Sequence, residues 1–318
     1  MGARILITGA TGFIGGRVAA AATAADVARV RLLARRAPAP PAGAGARGAP
    51  EVETVRGDLR DPASLRRACE GVDVLLHCAS AIGGDEETAR AVNDEGTRAL
   101  VDAAVRAGVS RIVALSTASV HGRGPFRAAA PDTLPIAPVS ATSRTRAAGE
   151  RHVTEAGGTV LRPHLVYGTG DRQLVPGVVR LLSALPGPLD GGGSLHSLID
   201  VESLAGALVG AALSPRTRPG AYHVNHPTPV PVEKLLSLGE ELLALRGVPR
   251  RGPATDVAGA RALLADDPVA LHHLALLATD HWFADDRPWR DFDRDPGPDF
   301  ATGAARHTAW YRDLLAPS

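Results

Sequence analysis

Lys234 is the only lysine in the 318 residues, and Tyr167, Tyr222 and Tyr311 are the only tyrosines. No Tyr-x-x-x-Lys sequence exists anywhere, so a phenol and an ammonium cannot stand one helical turn apart. Cysteine is nearly absent too. Cys69 falls in a helical stretch and Cys78 at the end of an apolar run, which suits buried thiols better than a disulfide or metal framework. No basic block exceeds the pair Arg35-Arg36, and acids and bases are mixed to a formal charge of +1. Neither nucleic acid nor an anionic membrane is expected as a partner. An uninterrupted apolar stretch of about 18 residues is also missing. The first apolar run, Arg4-Ile5-Leu6-Ile7, follows Met1 with no charged leader and apolar h-region, so a cytoplasmic protein is expected.

What is present is a regular alternation. Short apolar, β-branched runs at residues 4–8, 30–34, 72–78 and 111–116 alternate with segments of helical period at 12–25, 62–69 and 86–107. This is the pattern of βαβ units and a parallel sheet, whose buried strands read as continuous apolar runs. The expected fold class is α/β, a doubly wound (Rossmann) parallel sheet with a smaller C-terminal substrate lobe. Residues 37–50, rich in Ala, Pro and Gly, are too poor in large apolar groups to pack and read as a mobile surface loop. Residues 159–163 read as a further strand and 231–245 as a helix, and from Gly168 onward Gly and Pro punctuation becomes dense. Trp282, Trp289 and Trp310 read as packing anchors.

Thr8-Gly9-Ala10-Thr11-Gly12-Phe13-Ile14-Gly15 follows the first strand and opens the first helix. In that context one glycine makes a tight turn, one lets the backbone approach a pyrophosphate, and one allows close helix–strand packing. The helix N-terminus adds free N–H groups and a positive dipole end. A dinucleotide cofactor is therefore expected. At the end of the second strand, Ala34 stands where an NAD-binding fold usually places an acid for the ribose 2′-hydroxyl, and Arg35 and Arg36 follow. A guanidinium can grip a 2′-phosphate through paired charge-assisted hydrogen bonds, so NADPH/NADP is favoured over NADH. Residues 1–167 are then mainly an NADP-binding domain. Residues 168–318 are mainly the substrate lobe, with some strands and helices returning to the sheet.

Several further segments keep the order of a known family: Gly57-Asp58-Leu59, His77-Cys78-Ala79-Ser80, Asn93-Asp94-Glu95-Gly96-Thr97, Leu161-Arg162-Pro163 with Val166-Tyr167-Gly168, and a last helix around Trp310-Tyr311-Arg312. Together with the glycine-rich turn they resemble the extended short-chain dehydrogenase/reductases of the NAD-dependent epimerase/dehydratase type, over nearly the whole chain. The resemblance implies that Asp58 and Leu59 flank the adenine. Cys78, Ala79 and Ser80 would sit against the cofactor, and Pro163 and His164 would line the nicotinamide pocket. Asn93 would help hold the active site in shape.

In that family a Tyr hydroxyl, its pKa lowered by a nearby Lys, passes the proton, while a Ser or Thr orients the substrate oxygen. The segment Leu115-Ser116-Thr117-Ala118-Ser119-Val120-His121-Gly122 resembles the family's Ser/Thr element, with Thr117 on the catalytic position and Ser116 beside it. The segment from Pro138 to Glu150 aligns with the Tyr-x-x-x-Lys helix and puts Thr142 on Tyr and Arg146 on Lys. A Thr hydroxyl is a far weaker acid than a phenol and shorter in reach. Arg146 can still hold ribose hydroxyls, but its planar fork copies an ammonium poorly.

Three readings follow. In the first, the protein is an NADPH-dependent ketoreductase for a small hydrophobic ketone, with the proton supplied by a substrate hydroxyl or water. The tyrosine-free pattern resembles the atypical angucyclinone ketoreductases, which implies an aromatic polyketide substrate in antibiotic biosynthesis. In the second, His121 is the acid, although a structural histidine after a strand suits it better. In the third, the chain binds NADP(H) as a non-catalytic sensor or scaffold. A nucleotide-sugar epimerase or dehydratase is a further alternative. The pocket is expected from residues 81–88, 122–136 and 165–196. Oligomeric state stays open between monomer and homodimer. The histidines His77, His164, His196, His223 and His226 are too scattered along the sequence for a ligand pattern, and no metal is expected.

Overall fold

A computed structural model describes residues 2–247 and 252–316. Its strands are β1 (Ala3–Thr8), β2 (Val27–Ala34), β3 (Glu51–Arg56), β4 (Val74–His77), β5 (Arg111–Leu115), β6 (Phe126–Ala129), β7 (Thr159–Arg162), β8 (Leu165–Tyr167), β9 (Leu195–His196), β10 (Leu198–Asp200), β11 (Gly220–His223), β12 (Val230–Pro231) and β13 (His281–Phe283). Seven of them form a sheet in the order β11-β7-β5-β4-β1-β2-β3, parallel throughout. Both faces of this sheet are buried, and the pleat divides β1 between them. Ile5 and Ile7 enter one core and Leu6 the other. Edge strand β3 is not among the runs legible in the sequence, because its residues are half-exposed or exposed and carry no apolar run.

The helices are α1 (Phe13–Thr23), α2 (Pro62–Cys69), α3 (Glu86–Arg90), α4 (Thr97–Arg106), α5 (Ala141–Glu155), α6 (Leu174–Ser183), α7 (Val201–Leu213), α8 (Val232–Leu245), α9 (Val257–Leu263), α10 (Pro268–Leu277), α11 (Arg287–Asp291) and α12 (Phe300–Leu314). Local chemistry sets several starts. Asp61 caps α2 by accepting from the Ala63 N–H, with Pro62 in the first turn. Ser140 and Ser143 cap α5 reciprocally. The helix expected over 86–107 is interrupted by a π-helical turn, Ala91–Gly96. None of the described helices is long and apolar enough to cross a membrane.

The C-terminal half is shared between two cores. Helix α7, apolar nearly all round, packs on α1 and the main sheet, as a buried helix must. Helices α6, α8, α10 and α12 instead surround a second core that includes Val178, Leu182, Leu235, Leu242, Leu274 and Tyr311. A small sheet, β12-β9-β13-β6, joins the two halves. Trp289 packs on the sheet core and Trp310 on the second core, as packing anchors do.

One buried ion pair ties α5 to the sheet. The Arg162 guanidinium donates from Nε and Nη2 to Glu150 at 2.6–3.2 Å, and the two side chains retain only 9% and 7% of their exposure. Glu150→Ala leaves this guanidinium buried without its carboxylate, and a loss of about 3–5 kcal/mol is expected. Urea unfolding reads it directly; a loss below about 1 kcal/mol would show that water replaces the carboxylate.

Candidate active site

The strand order reverses at β1 and β4, and doubly wound sheets bind ligands in the crevice at such a reversal. A cavity of about 440 Å³ lies there. It is lined by Thr8, Gly9, Thr11, Gly12, Phe13, Ile14, Gly15, Arg35, Asp58, Leu59, Cys78, Ala79, Ser80 and Arg146, which are most of the residues expected from the sequence. Gly9 has φ +77°, and a Cβ on it would lie 2.6 Å from the Ala79 backbone nitrogen. A Cβ on Gly15 would collide with the Gly9 carbonyl. Helix α1 opens with no side-chain cap and no acid in its first turn, so its N–H groups and positive dipole end are left for an anion. This cradle fits a pyrophosphate.

The walls are braced by second contacts. Thr8 Oγ1 lies 2.7 Å from His77 Nδ1 and accepts from the Ala79 N–H at 3.2 Å. Asn93, in the π turn, bonds both backbone groups of Ala81 and the hydroxyls of Ser80 and Thr145. It thereby pins the Ser80–Ala81 segment. Asp58 is held by Arg60, which donates to it from the backbone and guanidinium; that hydrogen bond holds the carboxyl below its usual range. Arg60 itself lines the cleft, a position sequence reasoning missed. Arg35 is exposed on the rim, whereas Arg36 lines no described cavity.

A larger cavity, about 920 Å³, continues from the cleft. The two share Thr11, Gly12, Phe13, Ile14, Ile82 and Arg146. Ser116, Thr117, Pro163 and His164 line the larger cavity. Ser116 Oγ is buried with no partner, and Thr117 Oγ1 lies 2.9 Å from Ser119 Oγ. Arg146 donates to the Leu115 carbonyl at 3.0 Å; burial lowers its pKa to about 10 while Glu150 opposes the fall, so it stays cationic at neutral pH. Thr142 differs. Its Oγ1 faces the Gly83 N–H at 3.5 Å, and it lines neither cavity, because that turn of α5 presents it to the Gly83 loop.

Tyr167, Tyr222 and Tyr311 also line neither cavity. Tyr311 donates to Asp171 and accepts from the Gly168 N–H, and Tyr222 donates to Asp291. His121 is buried between the Pro135 carbonyl, 3.0 Å from Nδ1, and His223, 3.1 Å from Nε2. It faces neither cavity, which supports the structural reading over a catalytic one.

Three expectations need correction. Residues 122–136 do not line the larger cavity, because Phe126–Ala129 is drawn into the small sheet against β13. Residues 37–50 are more than a surface loop: Pro38, Ala39, Pro40, Pro41 and Ala42 form part of the cavity wall, opposite His272, His273 and Leu276 of α10. The histidines converge, with ring nitrogens of His164, His196 and His281 all within 4.8 Å of one another. No spacing rule joins a loop and two strands so far apart in the chain.

Residues 5–225 match the NAD dependent epimerase/dehydratase family. A 2-alkyl-3-oxoalkanoate reductase of Stenotrophomonas maltophilia (strain K279a) is 30% identical over 287 residues, covering 80% of this chain and 85% of that protein. A ceramide reductase of Caulobacter vibrioides (strain NA1000 / CB15N) is 34% identical over 215 residues, 66% of this chain and 61% of its own length. Among solved structures, MoeE5 in complex with UDP-glucuronic acid and NAD superposes with a TM-score of 0.74 at 22% identity, over 98% of this chain and 100% of that one. This last likeness is one of fold.

Proposed function

Because the chain belongs to the NAD dependent epimerase/dehydratase family, we propose that it is an NADPH-dependent ketoreductase acting on a hydrophobic ketone. An oxidoreductase role is what the reductase relatives support. The observation that carries the reading is the meeting of two cavities at Arg146 and Ile82, with Thr117 on the wall and no tyrosine on either. Leu165, Val166, Leu174, Leu276 and the proline-rich loop give the larger cavity an apolar lining, which suits an acyl chain or a fused-ring polyketide.

The chemistry that a nicotinamide cofactor would supply there, when bound, is hydride transfer. Gly9, Gly12 and the α1 N-terminus would hold the pyrophosphate, Arg35 would grip the 2′-phosphate, and Arg146 would hold ribose hydroxyls. Thr117, with Ser116 beside it, orients the ketone oxygen. The proton comes from a substrate hydroxyl next to the carbonyl or from water, since general acid catalysis is worth about 10²–10⁴-fold and must be replaced when its usual donor is missing.

The test is loss of reduced-nicotinamide absorbance with 2-alkyl-3-oxoalkanoates and polycyclic hydroxyketones. Turnover with at least one is expected; tight cofactor binding with no turnover on any would favour a sensor. Thr117→Val should lower kcat/KM about 100-fold, whereas Thr142→Val should retain most activity. Methylating the adjacent substrate hydroxyl should suppress the rate, and a collapse on Thr142→Val with normal cofactor binding would overturn the substrate-assisted route. Arg35→Ala is expected to raise the Kd for NADPH roughly tenfold and leave that for NADH unchanged; equal effects on both would remove the 2′-phosphate assignment.

A further inference from the structure

We infer that His164, His196 and His281 form a binding site for one divalent transition-metal ion, with Zn²⁺ as the reference occupant. His196 and His281 are direct partners in the β9–β13 pairing, which sets their side chains side by side. His164 arrives from the turn between β7 and β8. One ring nitrogen of each lies within 4.8 Å of the others.

The hydrogen bonds around the rings fix which nitrogens keep a lone pair. His196 Nε2 lies 3.1 Å from the Leu277 carbonyl, and His281 Nδ1 lies 2.9 Å from the Thr279 carbonyl. A carbonyl can only accept, and Ser194, whose Oγ lies 3.1 Å from the same His196 nitrogen, gives its own proton to the Leu277 carbonyl, so both nitrogens carry the proton and donate. His196 Nδ1 and His281 Nε2 are therefore unprotonated. A metal-bound histidine has this arrangement, its outer N–H anchored on a backbone carbonyl.

His196 is 1% exposed, and its Nδ1 has no partner; His164 Nε2 is likewise buried and without one. Six buried side-chain polar atoms lack a partner among the described residues, and these rings supply two of them. An orphaned buried polar atom costs about 1–3 kcal/mol, and two of them on rings of one three-histidine group point to a missing electrophile. The Gly124 N–H, 3.1 Å from His281 Nε2, is the one competitor.

Zn–N bonds of about 2.0–2.1 Å in tetrahedral geometry place the nitrogens roughly 3.4 Å apart. The rings therefore close by up to about 1.4 Å on binding, within reach of small side-chain rotations. Three imidazoles leave a fourth position for another ligand. The ion would fasten the Pro163–His164 turn, which lines the larger cavity, to the small sheet.

The experiment is titration of chelator-treated, full-length protein with Zn²⁺ and with Co²⁺, followed by calorimetry and visible absorption. The expected result is one equivalent bound per chain with submicromolar affinity, Co²⁺ bands of tetrahedral type, and a raised Tm. His196→Ala and, separately, His164→Gln should weaken binding at least about 100-fold, while His226→Ala leaves it unchanged. Circular dichroism confirms that each variant is folded. The half-exposed His164 position supplies a second reading if His196→Ala fails to fold. Binding weaker than about 10 µM by the folded wild-type protein, or equal binding by all variants, would overturn the site. The outcome does not depend on the ketoreductase reading.

Discussion

Gly9→Ala is expected to abolish cofactor binding, raising the Kd for the reduced dinucleotide by more than about 100-fold, or close to 3 kcal/mol. Two effects act together. The φ of +77° is one that an alanine adopts only at a cost, and the added Cβ would lie 2.6–2.8 Å from backbone atoms of Cys78 and Ala79. Backbone cannot rotate out of the way as a side chain can. Either the turn moves out of register with the α1 N-terminus, or the β4 end is pushed into the cleft. Both spoil the pyrophosphate cradle. Gly206→Ala is the control, because a Cβ there meets nothing within 4 Å and alanine favours a helix by up to about 1 kcal/mol. Nicotinamide fluorescence titration distinguishes the two, and retained affinity in Gly9→Ala would remove the turn from the cofactor site.

Acid should destabilise this protein before its carboxylates are titrated. Burial holds His77 at a pKa of about 4, helped by the charge of Arg146, and His223 at about 3, helped by His121. His77 is enclosed by the hydroxyls of Thr8 and Thr97 at 2.7 and 2.9 Å. The unfolded chain takes up protons on both rings near pH 6.5 while the folded chain does not. Their contribution is therefore fully present above about pH 6.5 and is lost as pH falls toward 4. Each ring contributes up to about 1.4 kcal/mol per pH unit, roughly 3 kcal/mol for the pair. A Tm that is level from pH 7 to 8 and about 10 °C lower at pH 5 is expected for a chain of this size. His77→Asn should remove that ring's own share of the slope, up to about 1.4 kcal/mol per pH unit; a Tm unchanged down to pH 5 would show that these rings charge inside the fold.

The glycine-rich turn and the alternation of apolar runs with helical segments determined the sheet, its parallel sense and the cofactor cleft. They could do so because each is a local pattern: a positive φ, a period of two or an N-terminus is written in neighbouring residues. The interruption of the helix over 86–107 was not legible, since Ala91–Gly96 differs from its flanks by one shifted hydrogen-bond register. Alignment put Thr142 and Arg146 one turn apart on the same helix, yet packing alone decided that Arg146 faces both cavities and Thr142 faces the Gly83 loop. The proline-rich loop and α10 became cavity walls in the same way, through contacts between distant segments.

The histidines show the division most plainly. Along the chain they are isolated residues, and composition assigns them nothing. Strand pairing sets His281 beside His196, and the turn after β7 brings His164 to them. A coordination site depends on nitrogen positions within an ångström or two, a condition that only the tertiary structure fixes. The sequence by itself determined the glycine-rich turn, the parallel sheet and which familiar acid the chain lacks; the packing decided which side chains line the cavities.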